Sequence, residues 1–76
     1  MDTEGRSISA LVKEIRRQLS LSQEDLARLL GVSYATVNRW ENGLSKPSKL
    51  AKAQLETFCK KMTSQGKLTL PEGEHR

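Results

Sequence analysis

The sequence predicts a small all-α domain built from four helices. Apolar residues recur at three- and four-residue steps in several segments, and serines that can cap a helix precede these segments. No segment gives a convincing strand pattern. A chain of 76 residues makes one domain with a thin core. We predict residues 7–62 as the folded domain, 1–6 as a flexible N-terminus and 63–76 as a C-terminal tail.

The first helix is predicted to run from about Ile8 to Leu19. Its apolar side chains repeat with the spacing of one helical face. The residues of this stripe are Ile8, Leu11, Val12, Ile15 and Leu19. Ser7 is the predicted N-cap, because its hydroxyl can accept a hydrogen bond from a free backbone N–H.

The second helix is predicted over residues 23–30, after Ser22. Asp25 lies three residues beyond this serine, which is the spacing of a capping box, and its charge suits the positive end of the helix dipole. The residues predicted to point inward are Leu26, Leu29 and Leu30. Gly31 follows directly, where a left-handed backbone conformation at the helix end favours glycine.

The third helix is predicted over residues 34–41, with Ser33 as its N-cap. Val37 and Trp40 are three residues apart and are predicted to face the core. Together with the second helix and the three-residue turn that contains Gly31, this segment matches the helix-turn-helix pattern over residues 22–42.

The fourth helix is predicted to begin near Pro47 or Ser48 and to run to about Met62. Its apolar stripe consists of Ala51, Leu55, Phe58 and Met62. Two roles stay open for the distal end of this stripe: it covers the core of its own chain, or it pairs with a second subunit. The distal residues are Phe58, Cys59 and Met62.

The charge of the chain favours a polyanionic partner. The net charge is +4, but residues 6–67 hold 12 of the 13 basic residues and only 5 of the 9 acidic ones, so this part carries +7. Such a surface suits nucleic acid or an anionic membrane, and a merely well-solvated surface is the alternative. No apolar run reaches the length of a signal peptide or a membrane span, so we expect a cytoplasmic protein without membrane contact.

The composition disfavours an enzyme and a metal site. The single cysteine, Cys59, and the single histidine, His75, cannot form a disulfide or a Cys/His metal cluster. The sequence also lacks a nucleophile with a matching base and a glycine-rich phosphate loop. We therefore expect no catalytic residues, no bound metal and no cofactor.

The outer face of the third helix carries groups that read DNA bases. At 100° per residue, the face opposite the core gathers Ala35, Asn38, Arg39 and Asn42, with Tyr34 and Thr36 on its flanks. A guanidinium, an amide and a tyrosine around a small alanine suit base edges in a major groove. The alternative is an ordinary solvated helix face.

The stretch SQEDLARLLGVSYATVNRWENG, residues 22–43, resembles the lambda repressor and Cro-type (XRE-like) helix-turn-helix proteins. Six features fall at family spacing, among them Ala27, Gly31, the Trp-Glu-Asn-Gly end and the Lys-Pro-Ser that follows it. The resemblance covers about residues 8–55. It implies a DNA-binding domain, in which members usually have a fifth helix. Here a short polar segment follows the fourth helix instead.

The resemblance also implies roles for individual residues. The residues that would face bases are Tyr34, Ala35, Asn38 and Arg39. The residues that would contact DNA phosphates are Gln23, Ser33, Thr36, Asn42, Ser45, Lys46 and Lys49. A partly buried ion pair is implied between Arg16 and Glu41, whereas the neighbouring Arg17 is expected to point to solvent.

The resemblance and the charge together favour a sequence-specific regulator of transcription, a repressor, that binds double-stranded DNA. A homodimer on a pseudo-palindromic operator, with half-sites ~10 bp apart, is the expected arrangement. The alternative is an antitoxin-like or adaptor module on the same fold, with a protein as its partner. RNA binding is a weaker option, because three aromatic residues supply no stacking platform.

Overall fold

The computed structural model describes the backbone of residues 4–70 and the side chains from Ile8 onward. This part of the chain is all-α, as predicted, with four helices and no strand. The helices are α1 (Glu4–Leu19), α2 (Gln23–Leu30), α3 (Tyr34–Glu41) and α4 (Lys49–Ser64). The bounds predicted for α2 and α3 agree with the structure, and α4 extends two residues further than predicted.

The predicted start of α1 is wrong. The helix begins at Glu4, so Ser7 lies inside it and is not its N-cap. No proline stands between these two residues, and the glycine among them costs a helix only about 1 kcal/mol, so nothing there ends the helix. Of the N-terminal segment predicted to be flexible, residues 4–6 belong to α1, and residues 1–3 lie outside the described residues.

Serine caps fix where the other three helices begin. The hydroxyl of Ser22 accepts from the backbone N–H of Asp25 at 2.9 Å, and the Asp25 carboxylate accepts from the Ser22 N–H at 3.1 Å. This is the predicted capping box. At α3 and α4 the hydroxyls of Ser33 and Ser48 accept from the backbone N–H groups of Thr36 and Ala51, without a reciprocal bond. Gly31 ends α2 with φ +76°, the left-handed conformation that glycine adopts without strain.

The core lies where the four helices meet. Its largest fully buried side chains are Trp40, Ile15, Leu26, Leu55, Val12 and Val37. Each such side chain stabilises the fold by roughly 1.5–3 kcal/mol through its removal from water. The two buried apolar residues of α3, Val37 and Trp40, face the core as predicted and hold this short helix in place.

Leu29 does not point inward as predicted, because it is 57% exposed. The buried residues of α2 are Leu26, Ala27 and Leu30. At 100° per residue the small Ala27 lies at one edge of the buried arc, and Leu29 lies beyond the other edge. The buried face of α2 therefore includes Ala27 in place of the predicted Leu29.

The chain beyond α4 is packed up to Leu70, whereas the sequence predicted a tail from residue 63. Leu68 is only 2% exposed, and Leu70 packs partly buried against the core. The Gln18 amide binds the backbone of Thr69 twice, accepting from its N–H and donating to its carbonyl, both at 2.8 Å. Residues 68–70, which belong to no helix or strand, are thus part of the packed structure. Residues 71–76 lie outside the described residues.

The distal end of the α4 stripe packs within its own chain. Phe58, Cys59 and Met62 are partly buried against the core. Burial, together with the nearby Glu56 carboxylate, raises the pKa of the Cys59 thiol to about 11. This thiol is therefore protonated at neutral pH and acts as a small apolar side chain.

Candidate nucleic-acid interface

Three of the four predicted base-contacting residues are exposed on α3. Tyr34, Ala35 and Arg39 face solvent, and the fourth, Asn38, is half-buried. Ser33 orients the start of the helix by accepting from the backbone N–H of Thr36 at 3.1 Å. The outer face of α3 is thus displayed on a helix whose other face is fixed in the core.

Asn38 is held by hydrogen bonds on both sides of its amide. Its Nδ2 donates to Oε1 of Gln23 at 3.1 Å. Its Oδ1 accepts from Nδ2 of Asn42 at 3.1 Å, and the same Asn42 nitrogen donates to the Asn38 backbone carbonyl at 3.0 Å. The sequence predicted DNA contacts for Gln23, Asn38 and Asn42 but did not predict that these three side chains bind one another.

The Gln23 side chain, predicted to contact a DNA phosphate, is hydrogen-bonded within the protein. Its Nε2 donates to Oε1 of Glu41 at 3.0 Å, so this side chain joins α2 to two residues of α3, Asn38 and Glu41. A phosphate contact from Gln23 would have to use the second N–H of its amide or its backbone.

The predicted ion pair between Arg16 and Glu41 is present. Two guanidinium nitrogens of Arg16 donate to the two carboxylate oxygens, at 2.5 Å and 3.0 Å. The third, Nη1, donates to the backbone carbonyl of Leu21 at 3.0 Å. Glu41 is only 6% exposed. The Arg16 guanidinium, helped by the Gln23 amide, holds the pKa of Glu41 below its usual range.

Arg17 points to solvent as predicted. Its side chain is 71% exposed, and it pairs with Glu14 on the same helix. The two neighbouring arginines of α1 therefore have different environments: Arg16 connects three structural elements, and Arg17 remains at the surface.

The other residues predicted to contact phosphates lie in two places. Ser33 and Thr36 are at the start of α3, where their hydroxyls bind each other at 2.9 Å. The second group follows α3 and consists of Asn42, Ser45, Lys46 and Lys49. Of these four, Ser45 is half-buried and the rest are exposed. Gly43, with φ +71°, turns the chain between Asn42 and the other three residues of this group.

The described part of the chain offers neither a metal centre nor a membrane span. Within residues 4–70 no group of three His, Cys, Asp or Glu side chains could hold a metal ion. No helix in that range is long and apolar enough to cross a membrane.

Comparison with known proteins identifies the class. A family model described as helix-turn-helix matches residues 12–53, more than half of the chain. The chain therefore belongs to the helix-turn-helix family, and it is a DNA-binding helix-turn-helix domain. The resemblance seen in the sequence is confirmed at this level.

One relative is a Type II methyltransferase, M1.ScrFI, from Lactococcus lactis subsp. cremoris. It is 43% identical over an alignment of 49 residues, and this alignment covers 60% of the present chain. The match spans only 13% of the methyltransferase, so the likeness concerns a small part of that protein. No solved structure matches the chain.

Proposed function

We propose that the protein binds double-stranded DNA in a sequence-specific manner, with α3 in the major groove, and regulates transcription as a repressor. The observation that carries this proposal is the division of α3 into two faces. Val37 and Trp40 are fully buried, whereas Ala35 and Arg39 are exposed on the opposite side. An α-helix with its side chains is roughly 10–12 Å in diameter, and the major groove, ≈ 12 Å wide, admits it.

The exposed face supplies chemistry that distinguishes base pairs. The Arg39 guanidinium can donate to both O6 and N7 of a guanine, and an asparagine amide such as Asn38 can bind N6 and N7 of an adenine. Ala35 allows close approach to a thymine methyl group. The Tyr34 hydroxyl adds a donor and an acceptor at the start of the helix.

The flanks of α3 supply groups that suit the DNA backbone. Lys46 and Lys49 follow the helix, and Asn42 and Ser45 lie beside them in the chain. Phosphate contacts of this kind fix the register of a protein on DNA but carry no sequence information. The net charge of +7 on residues 6–67 supports binding to a polyanion.

A homodimer suits such a site, because one short helix reads only a few base pairs. Two copies on a pseudo-palindrome, with half-sites ~10 bp apart, double the sequence that is read. Repression needs only occupancy of the operator, which a DNA-binding domain can provide. An antitoxin-like or adaptor module would not need cations such as Arg39 and Lys49 around the exposed face of α3.

Selection of binding sites from a random pool of duplex DNA tests the proposal. We expect enrichment of one short half-site motif, repeated with inverted symmetry. A pool that stays random after several rounds, at low and moderate salt, would contradict sequence-specific binding. Enrichment of a single unrepeated half-site would contradict the dimeric arrangement.

A matched pair of variants serves as the control. Lys49→Ala removes a positive charge in the first turn of α4, and Lys60→Ala removes one about 16 Å further along the same helix. Both side chains are exposed. We expect Lys49→Ala to weaken binding to the selected site and Lys60→Ala to leave it near the wild-type affinity.

A further inference from the structure

A chain of side-chain hydrogen bonds connects the buried Arg16–Glu41 pair to the outer face of α3. Gln23 donates to Glu41, Asn38 donates to Gln23, and Asn42 donates to Asn38. The three bonds measure 3.0, 3.1 and 3.1 Å. We call the side chains of Gln23, Asn38 and Asn42 the amide chain.

The direction of the amide chain follows from the chemistry of its inner end. An ionised carboxylate only accepts hydrogen bonds, and Arg16 keeps Glu41 ionised. Gln23 must therefore turn its NH₂ group toward Glu41. Its carbonyl oxygen then faces Asn38, and an oxygen only accepts.

The outer end imposes the same direction. The Asn42 amide donates to the backbone carbonyl of Asn38 at 3.0 Å, and this carbonyl cannot donate. Asn42 therefore presents its NH₂ group to Asn38 as well. A flipped Asn38 would set its oxygen against that of Gln23 and its nitrogen against that of Asn42, which loses both hydrogen bonds.

We infer that Gln23 and Glu41 are positioning residues that hold the Asn38 amide in one orientation, so that it reads an A·T pair. The bound Asn38 amide keeps one N–H and one lone pair of its oxygen unused. These are the donor and the acceptor that N7 and N6 of an adenine require. The inference rests on the proposed function, because the reading step needs α3 in the major groove.

The fixed orientation matters because an amide that flips exchanges its donor and its acceptor. A free Asn38 would present the wrong pattern for part of the time. A good bidentate contact discriminates against the wrong base by about fivefold or more. Loss of the amide chain should therefore reduce the base preference at one position of the half-site. The preferences at the other positions should stay unchanged.

The first experiment uses the free protein. Gln23→Met removes both hydrogen bonds of this side chain at similar length and leaves the Arg16–Glu41 pair in place, and Gln54→Met makes the same change at an exposed position of α4. We expect NMR order parameters of the Asn38 side-chain amide to fall in Gln23→Met and to stay unchanged in Gln54→Met. Asn42→Ala, at an exposed position, should lower them too. Equal values in all four proteins would overturn the positioning role.

The second experiment uses DNA. Competition titrations compare the selected duplex with duplexes in which each base pair of the half-site is replaced in turn. We expect Gln23→Met to reduce the base preference at one A·T pair by about fivefold or more. Asn38→Ala should abolish the preference at the same base pair. In an Asn38→Ala background Gln23→Met should cause no further loss of preference.

Each remaining outcome has a defined meaning. If Gln23→Met weakens every duplex equally, Gln23 acts only on phosphate and the inference is overturned. The inference is also overturned if Asn38→Ala reduces the base preference at a G·C pair instead of an A·T pair. If the wild-type protein prefers no duplex, the proposed function is wrong. The assignment of Asn38 to an A·T pair is then wrong as well, because it depends on that function. The NMR comparison still decides whether the amide chain orients Asn38.

Discussion

At the scale of single residues, Glu41 connects more of the structure than any sequence pattern indicated. Its carboxylate accepts hydrogen bonds from Arg16 on α1 and from Gln23 on α2. Its backbone carbonyl accepts from the Ser9 hydroxyl at 2.6 Å. Glu41 is the last residue of α3, so these bonds fix the C-terminal end of the helix that carries the candidate site.

Arg16→Ala should strongly destabilise the protein. The variant leaves the buried Glu41 carboxylate without its cation, and the loss of one partner of a buried pair costs about 3–5 kcal/mol. Because a quarter of the Arg16 side chain is exposed, we expect the lower end of this range. The measurement is chemical denaturation of both this variant and Arg17→Ala, whose exposed pair with Glu14 should matter little. Equal midpoints would contradict the assignment.

The lowered pKa of Glu41 predicts a loss of stability in acid. A carboxyl whose pKa is lower in the folded than in the unfolded protein adds stability above its unfolded pKa, near 4.5. That stability is lost as the pH falls toward the folded pKa. We expect Glu41→Gln to be less stable than wild type at pH 7 and to lose less stability between pH 5 and about pH 3. Glu24→Gln, at an exposed position of α2, should follow the wild-type curve.

Arg39 and Lys49 should differ in what they contribute to binding. Arg39→Ala should lose ~1–3 kcal/mol on the selected site, little on scrambled DNA, and relax the preference at one base pair. Lys49→Ala should weaken both DNAs alike, because a phosphate contact carries no sequence information. Competition titrations on cognate and scrambled duplexes measure both effects. If Arg39→Ala weakens the two duplexes equally, Arg39 is a phosphate contact.

At the scale of secondary-structure elements, the segment after α4 completes the core. Leu68 is 2% exposed, and Gln18 fixes the neighbouring Thr69 by two hydrogen bonds to its backbone. Residues 68–70 belong to no helix or strand, so their position depends on these contacts with α1 and the core.

Leu68→Ala should therefore cost about 2–4 kcal/mol of stability, which is typical of a buried leucine. The matched control is Leu50→Ala, since Leu50 is 74% exposed and its truncation should change stability by less than about 0.5 kcal/mol. Thermal or chemical unfolding of the two variants gives the comparison. A small effect of Leu68→Ala would mean that residues 67–70 are not part of the folded unit.

The helices could be predicted well wherever a local signal marks their ends. Ser22, Gly31 and Ser33 act through hydrogen bonds or backbone geometry within a few residues, so their effect is visible in the sequence. Leu68 gave no such signal, because one apolar residue between polar neighbours becomes informative only when a partner surface is known. The exposure of Leu29 likewise depends on how α2 is rotated against α3.

The residues of the candidate site could be predicted from the sequence, but the hydrogen bonds between their side chains could not. The outward placement of Ala35 and Arg39 follows from helical periodicity alone. The bonds from Gln23 to Asn38 and Glu41 join residues 15 and 18 positions apart, and they depend on how α2 crosses α3. Side-chain contacts between helices need the crossing geometry, which no local pattern contains.

At the scale of the whole molecule, the positive charge should make DNA binding strongly dependent on salt. Each phosphate that the protein neutralises releases counterions, so log K should fall with log salt at a slope of about −0.9 per contact. Titration of one duplex at several salt concentrations gives the slope. We expect Lys49→Ala to reduce the magnitude of this slope by about the value of one phosphate contact. An affinity that hardly changes with salt would contradict binding through phosphates.

The pairing of Gln18 with Thr69 has a consequence for how the protein is made. The two residues are 51 positions apart in the chain, so α1 is synthesised long before its last packing partner. Domains fold as units during synthesis, and here one side of the core stays open until residues 67–70 have left the ribosome. We therefore expect nascent chains that stall after α4 to expose the apolar surface that Leu68 covers in the folded chain, the kind of surface that chaperones bind.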